Sequence, residues 1–133
     1  MEYTIYDSTN GLITGNIQTN DANQVAHLNY IEGTHDGSIY YVVDGVLTER
    51  PLLSSIITVS DTSFKADGTD EISITNLPDC VIAINNLDEP DYPIFNEEIT
   101  DGEIIFNTTM EGLYNIQIDC FPYQQYITEV EAI

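Results

Sequence analysis

The sequence predicts an all-β chain, and three observations predict it. Apolar and polar residues alternate with a period of two through most of its length. Glycine, asparagine, aspartate and proline punctuate that alternation at short intervals, as turns between strands do. An apolar stripe at i, i+3, i+4 and i+7 is missing, and residues 20–29 come closest to one.

Taken in order, Tyr3 and Ile5 open a strand, and Asp7-Ser8-Thr9-Asn10-Gly11 turns it back, with Gly11 supplying positive φ. Leu12 to Gln18 is the returning strand. Asn20 or Asp21 caps a short helix, or else Val25 to Ile31 forms another strand that stops at Glu32-Gly33. Ile39 to Val43, Asp44-Gly45 and Val46 to Glu49 read as a hairpin, because Asp-Gly between two β-rich runs favours a two-residue turn. Arg50-Pro51 ends it, since proline cannot donate to a ladder.

Beyond that point Ile56–Val59, Ser63–Ala66, Glu71–Thr75 and Val81–Ile84 read as strands, with Ile72 and Ile74 on one face. Asn85 to Pro93 reads as a polar loop. Glu103–Asn107, Gly112–Ile118 and Tyr123–Val130 complete the set. Leu113, Asn115 and Gln117 share one face of their strand, and Tyr114, Ile116 and Ile118 the other. Short strands spaced by about 8–12 residues are the pattern of an immunoglobulin-like sandwich. The chain thus divides into a small β-hairpin or meander unit, residues 1–53, and an Ig-like β-sandwich, residues 54–133. Units this small bury only about 60% of their unfolded surface. They are expected to pack on each other or to be held in an assembly.

The formal charge is −21, and Arg50 and Lys65 are the only basic side chains. Phosphate backbones need several Lys or Arg, so no nucleic-acid partner is expected. An anionic membrane surface would repel the chain, and no apolar run reaches the length of a membrane helix. Met1 to Asp7 lacks the basic and apolar regions of a signal peptide, so synthesis in a cytoplasm is expected. The acidity reads as a solvated surface, or as attraction to a basic partner or divalent cations.

Cys80 and Cys120 read as small core residues in preference to a disulfide or a redox pair. They fall on different strands and need not face one another. With His27 and His35 they lack zinc-site spacing. His27, inside the Val25–Ile31 run, reads as partly buried, and His35, between Gly33 and Gly37, as an exposed loop residue.

No nucleophile elbow or phosphate loop is present, and no catalytic residue is assigned. Glu97-Glu98 and the other paired carboxylates would need an aromatic-lined cleft to serve a glycosidase, and units this small leave little room for one. No cofactor is expected, with one exception: Asp67, Asp70 and Glu71, then Asp88, Glu89 and Asp91, are oxygen clusters that either hold a weakly bound calcium ion or simply form turns. Tyr40, Tyr41, Tyr92, Tyr123 and Tyr126 are candidates for an interface, since tyrosine gives large contact area at low entropy cost. Tyr40 and Tyr41 are adjacent in one strand and point to opposite faces.

Two stretches resemble bacterial and phage Ig-like domains. They are Lys65-Ala66-Asp67-Gly68-Thr69-Asp70-Glu71-Ile72-Ser73-Ile74-Thr75, and Asp101-Gly102-Glu103-Ile104-Ile105-Phe106 followed by Glu111-Gly112-Leu113-Tyr114-Asn115-Ile116. The family usually has proline where Glu111 stands. Tyr6 to Ile13, Ile31-Glu32-Gly33, and Tyr40 to Gly45 with Glu49-Arg50-Pro51 resemble small phage proteins associated with tail fibres. The resemblance implies a structural component of a bacteriophage virion, at the tail or tail fibre. Its partners would be other phage structural proteins in a multi-copy assembly. A capsid decoration protein, a tail-fibre assembly factor and a carbohydrate-binding adhesin are the alternatives.

Overall fold

The computed structural model describes residues 1–88 and 93–133. The chain is all-β. Among the described residues the helical elements are two 3-10 turns, and no helix is long and apolar enough to cross a membrane. It forms two compact units, Met1–Pro51 and Leu52–Ile133. The division falls two residues before the expected one, because Leu53 is buried at 1% exposure in the second unit's apolar cluster.

In the first unit β1 (Glu2–Tyr6) lies between β2 (Ile13–Gln18) and β3 (Tyr30–Glu32), antiparallel to both. The hairpin β4 (Tyr40–Val43) and β5 (Val46–Glu49) is separate from that sheet. Its turn has positive φ at both Asp44 (51°) and Gly45 (78°), as a type I′ turn requires.

Of the two readings of residues 20–29, the cap is the one that forms. Asp21 accepts a hydrogen bond from the Asn23 N–H (3.0 Å) and starts a 3-10 turn over Ala22–Gln24. The following strand begins only at Tyr30, so His27 sits in a turn and is exposed instead of partly buried.

Few side chains of this unit are fully enclosed, and one of them is polar. Thr4 is 0% exposed. Its hydroxyl lies within donating distance of Asn16 Oδ1 (2.6 Å) and the Gly33 carbonyl (2.9 Å), and it accepts from the His35 N–H (3.0 Å). One hydroxyl therefore ties β1, β2 and the 33–35 loop together. This corrects the exposed-loop reading of His35, which is half-buried with its ring edge against Tyr40 (6.2 Å, 71°).

The second unit is a β-sandwich. Its strands are β6 (Thr58–Val59), β7 (Ser63–Phe64), β8 (Ile72–Thr75), β9 (Cys80–Asn86), β10 (Pro93–Ile99), β11 (Ile104–Phe106), β12 (Gly112–Asp119) and β13 (Tyr126–Ala132). One sheet has the order β11-β8-β6 and the other β10-β9-β12-β13-β7, with β7 parallel to β13. Ile72, Ile74 and Ile104 from the first sheet meet Ile82, Ile84, Tyr114, Ile116, Ile118, Val130 and Ala132 from the second. The alternation expected for β8 and β12 is present: the inward residues are buried and the intervening ones are not.

The expected 85–93 loop is shorter at both ends, because Asn85 and Asn86 belong to β9 and Pro93 opens β10, a strand the sequence reading did not assign. Its sequence, Pro-Ile-Phe-Asn-Glu-Glu-Ile, hides the alternation because it forms a sheet edge. There proline at the first position and charged residues are tolerated and discourage further pairing. Tyr114, near the start of β12, is fully buried. Its hydroxyl donates to the Met110 carbonyl (2.7 Å) and its ring stands edge-on to Phe106, which meets Phe64 in the same way. A tyrosine near the start of this strand, bonded to backbone a few residues upstream, is a feature immunoglobulin-like sandwiches share.

Candidate interaction surfaces

In the first unit the hairpin positions both adjacent tyrosines. Tyr40 is paired across the ladder with Glu49, and Tyr41 with Thr48. Both are half-buried, so neither is a core residue. Tyr41, Val42, Val43 and Asp44 line one wall of a cleft of about 280 Å³, and Ser8, Thr9, Asn10 and Gly11 line the other. The turn that forms the second wall is rigidly made. Asp7 Oδ1 accepts from the Thr9 N–H (2.8 Å), and Asn10 Oδ1 accepts from the Leu12 N–H (2.9 Å). Gly11 then meets β4 directly: its carbonyl accepts from the Val42 N–H at 2.9 Å. A Cβ on Gly11 would lie 1.9 Å from the Val42 carbonyl oxygen, and its φ of +80° also favours glycine.

Tyr123 and Tyr126 are in a different situation. Both are half-buried and pack against the core of the second unit, so much of their surface serves the sandwich. Tyr92, with Glu89 and Asp91, lies outside the described residues.

The carboxylates considered for calcium have another occupation. Asp67 Oδ1 accepts from the Thr69 N–H (2.9 Å), the Thr69 hydroxyl (2.9 Å) and the Asp70 N–H (2.7 Å). Asp70 accepts from the Lys65 N–H (2.8 Å) through one oxygen and from the Glu71 N–H (3.1 Å) through the other. These donors, the Asp70 N–H first, hold the Asp67 carboxyl below the usual carboxylate range. Among the described residues no group of three or more His, Cys, Asp or Glu side chains is placed to hold a metal ion. Asp67 and Asp70 thus cap the backbone of this turn, and Glu71 enters it through its N–H.

A surface that sequence reading missed lies on the outer face of the five-stranded sheet. Val81 and Ala83 from β9, Leu113 and Gln117 from β12, and Ile127 from β13 stand on it. Val81, Leu113 and Ile127 are 45%, 45% and 54% exposed. Glu98, Asp119, Glu129 and Glu131 share this face, and the four strands β9, β10, β12 and β13 carry no Lys or Arg.

At its centre Asn85 and Asn115 are direct cross-strand partners. The side-chain oxygens of both are buried and have no hydrogen-bond partner. Each such oxygen costs about 1–3 kcal/mol. A half-turn of either amide exchanges its oxygen for its NH2. Gln117, by contrast, reaches Asp119 Oδ2 (3.5 Å), and Gln125 donates to Asp119 Oδ1 (2.9 Å). No protein-family model, curated protein or solved structure matches the chain.

Proposed function

We propose that this chain is a structural module of a bacteriophage particle, seated at the tail or tail fibre, and that it works by docking instead of catalysis. The observation that carries the docking reading is the outer face of the five-stranded sheet. It combines exposed aliphatic side chains with carboxylates of one sign. A protein surface bearing Lys and Arg fits it: the alkyl stems cover Val81, Leu113 and Ile127, and the charged heads meet Glu98, Asp119, Glu129 and Glu131. A second copy does not fit, because it would set carboxylates against carboxylates. The phage assignment rests on the resemblance of Tyr6–Ile13, Tyr40–Gly45 and the Lys65–Thr75 stretch to phage tail and Ig-like sequences.

Mass spectrometry of purified particles tests the reading. The chain should be present in stoichiometric amount, and its absence would sink the proposal. In particles that contain it, the paired change Glu129→Lys with Glu131→Lys should strip it from the tail.

The cleft beside Tyr41 favours a second reading, that of a carbohydrate-binding adhesin. A cleft lined by Tyr41 together with the polar residues Ser8, Thr9, Asn10 and Asp44 suits a sugar ring, which has an apolar face and a rim of hydroxyls. A glycan array probed with the full chain and with Tyr41→Ala decides it: retention that disappears in the variant supports an adhesin, and no retention removes it.

A further inference from the structure

Cys80 and Cys120 are expected from the sequence to be small core residues that need not face each other, in preference to a disulfide. Both are in the core, at 4% and 5% exposure, and both are free thiols. They are nonetheless neighbours. Strands β9 and β12 pair Ile82 with Ile118 and Val81 with Asp119, so one further step sets Cys80 opposite Cys120.

The ladder also fixes what kind of pair this is. The Leu87 N–H donates to the Leu113 carbonyl (2.9 Å), which marks that pair as a hydrogen-bonded one. Pairs alternate along an antiparallel ladder, so Cys80 and Cys120 fall on the non-hydrogen-bonded set, where Cα atoms approach to about 4.5 Å and side chains are closest. A disulfide accepts Cα separations of about 4.4–6.8 Å. The side chains point to the same, inner face, and the Cys120 thiol already reaches back to the Asp79 carbonyl at 3.1 Å, one residue from Cys80.

We propose that Cys80 and Cys120 are an oxidative modification site: in contact with a low-molecular-weight disulfide they join as an internal bond that staples β9 to β12. One cysteine thiolate attacks the external disulfide and expels one thiolate from it. The second cysteine thiolate attacks the resulting mixed disulfide and expels the other. The internal S–S bond replaces the external one, two electrons pass to the oxidant, and the two cysteine protons end on its two thiols. The inference does not depend on the phage reading.

Burial governs the rate. Removal from water first, then the neighbouring Cys120 and Asp79, push the Cys80 thiol up to about 11, and burial likewise raises Cys120. Thiolate is therefore scarce at neutral pH, and oxidation should be slow and faster in alkali. The bond closes a long loop, so the oxidised chain should melt about 10 °C higher.

The test incubates the full chain with oxidised glutathione at pH 8.5 and follows intact mass, a peptide map without reductant, and melting temperature. Loss of two hydrogens, a Cys80–Cys120 peptide and a raised melting temperature, all reversed by dithiothreitol, are expected. Cys80→Ala and Cys120→Ala should each abolish the rise. If either variant fails to fold, the peptide map of the unaltered chain still decides. Stable glutathione adducts, bonds between chains, thiols that stay reduced while the heat-unfolded chain oxidises, or a bond that lowers the melting temperature would each overturn the proposal.

Discussion

The two units are held together by different means. At the centre of the second unit isoleucines from two sheets interlock, with Ile72, Ile74, Ile82, Ile84, Ile116 and Ile118 all at 1% exposure or less. In the first unit a buried position belongs to the Thr4 hydroxyl, and its turn meets its hairpin backbone to backbone at Gly11. Apolar burial is non-directional and tolerates small adjustments. A hydrogen-bond hub and a backbone contact are directional and fail as units. Burial should therefore dominate the response to mutation in one unit, and geometry in the other.

The largest effect is expected from Ile116→Ala, which opens a cavity between the two sheets. Substitutions of this kind cost about 2–5 kcal/mol. Denaturant unfolding followed by hydrogen exchange should show protection lost in β8, β9, β12 and β13. A cost under about 1 kcal/mol would mean that the sandwich is not close-packed at its centre.

Next comes Gly11→Ala, which tests geometry with a single methyl group. Positive φ in a non-glycine residue costs roughly 1–3 kcal/mol, and the approach to the Val42 carbonyl adds to that because backbone, not a mobile side chain, blocks it. Exchange protection at the Val42 amide, which bonds to the Gly11 carbonyl, should fall more than at any amide of the second unit. Gly45→Ala is the control: its φ is also positive (+78°), but a Cβ there meets nothing within 4 Å, so it should cost the backbone strain alone. Equal losses in the two variants would show that the contact at Val42 contributes little.

The same contrast governs what could be read from the residues alone. Strands β8 and β12 were legible because one face of each is buried, and burial writes a period of two into the sequence. The Asp44-Gly45 turn was legible because few residue pairs accept positive φ twice. Strand β10 was not, since an edge tolerates Glu97 and Glu98 where an inner strand would not. The Asn85–Asn115 and Cys80–Cys120 pairs were beyond reach for another reason: they depend on the register between β9 and β12, which are far apart along the chain. Tyr114 stood in the quoted motif, but its hydroxyl partner Met110 carries no sequence signal, since backbone carbonyls belong to every residue. The role of Asp67 as a turn acceptor was legible only as one of two readings, because turn-forming and metal-binding aspartates are the same side chain.

The smallest expected effect is an acid response shared by both units. In the second unit the Asp70 and Thr69 donors lower the Asp67 carboxyl; in the first, the Ser38 hydroxyl and then the Ser38 N–H lower Asp36. A carboxyl whose folded-state pKa lies below its unfolded value, near 3.8, binds fewer protons folded than unfolded. Its contribution is therefore complete above pH 3.8 and disappears as pH falls through the lowered folded value. Asp67→Asn and Asp36→Asn should each weaken the chain at pH 7 and flatten its loss of stability below pH 4. Chemical unfolding at pH 7 and at pH 3 measures this difference directly. Both carboxyls are exposed turn acceptors, so the two variants should behave alike although the interiors beneath them differ. A response confined to one variant would mean that turn chemistry, too, depends on the core it sits over.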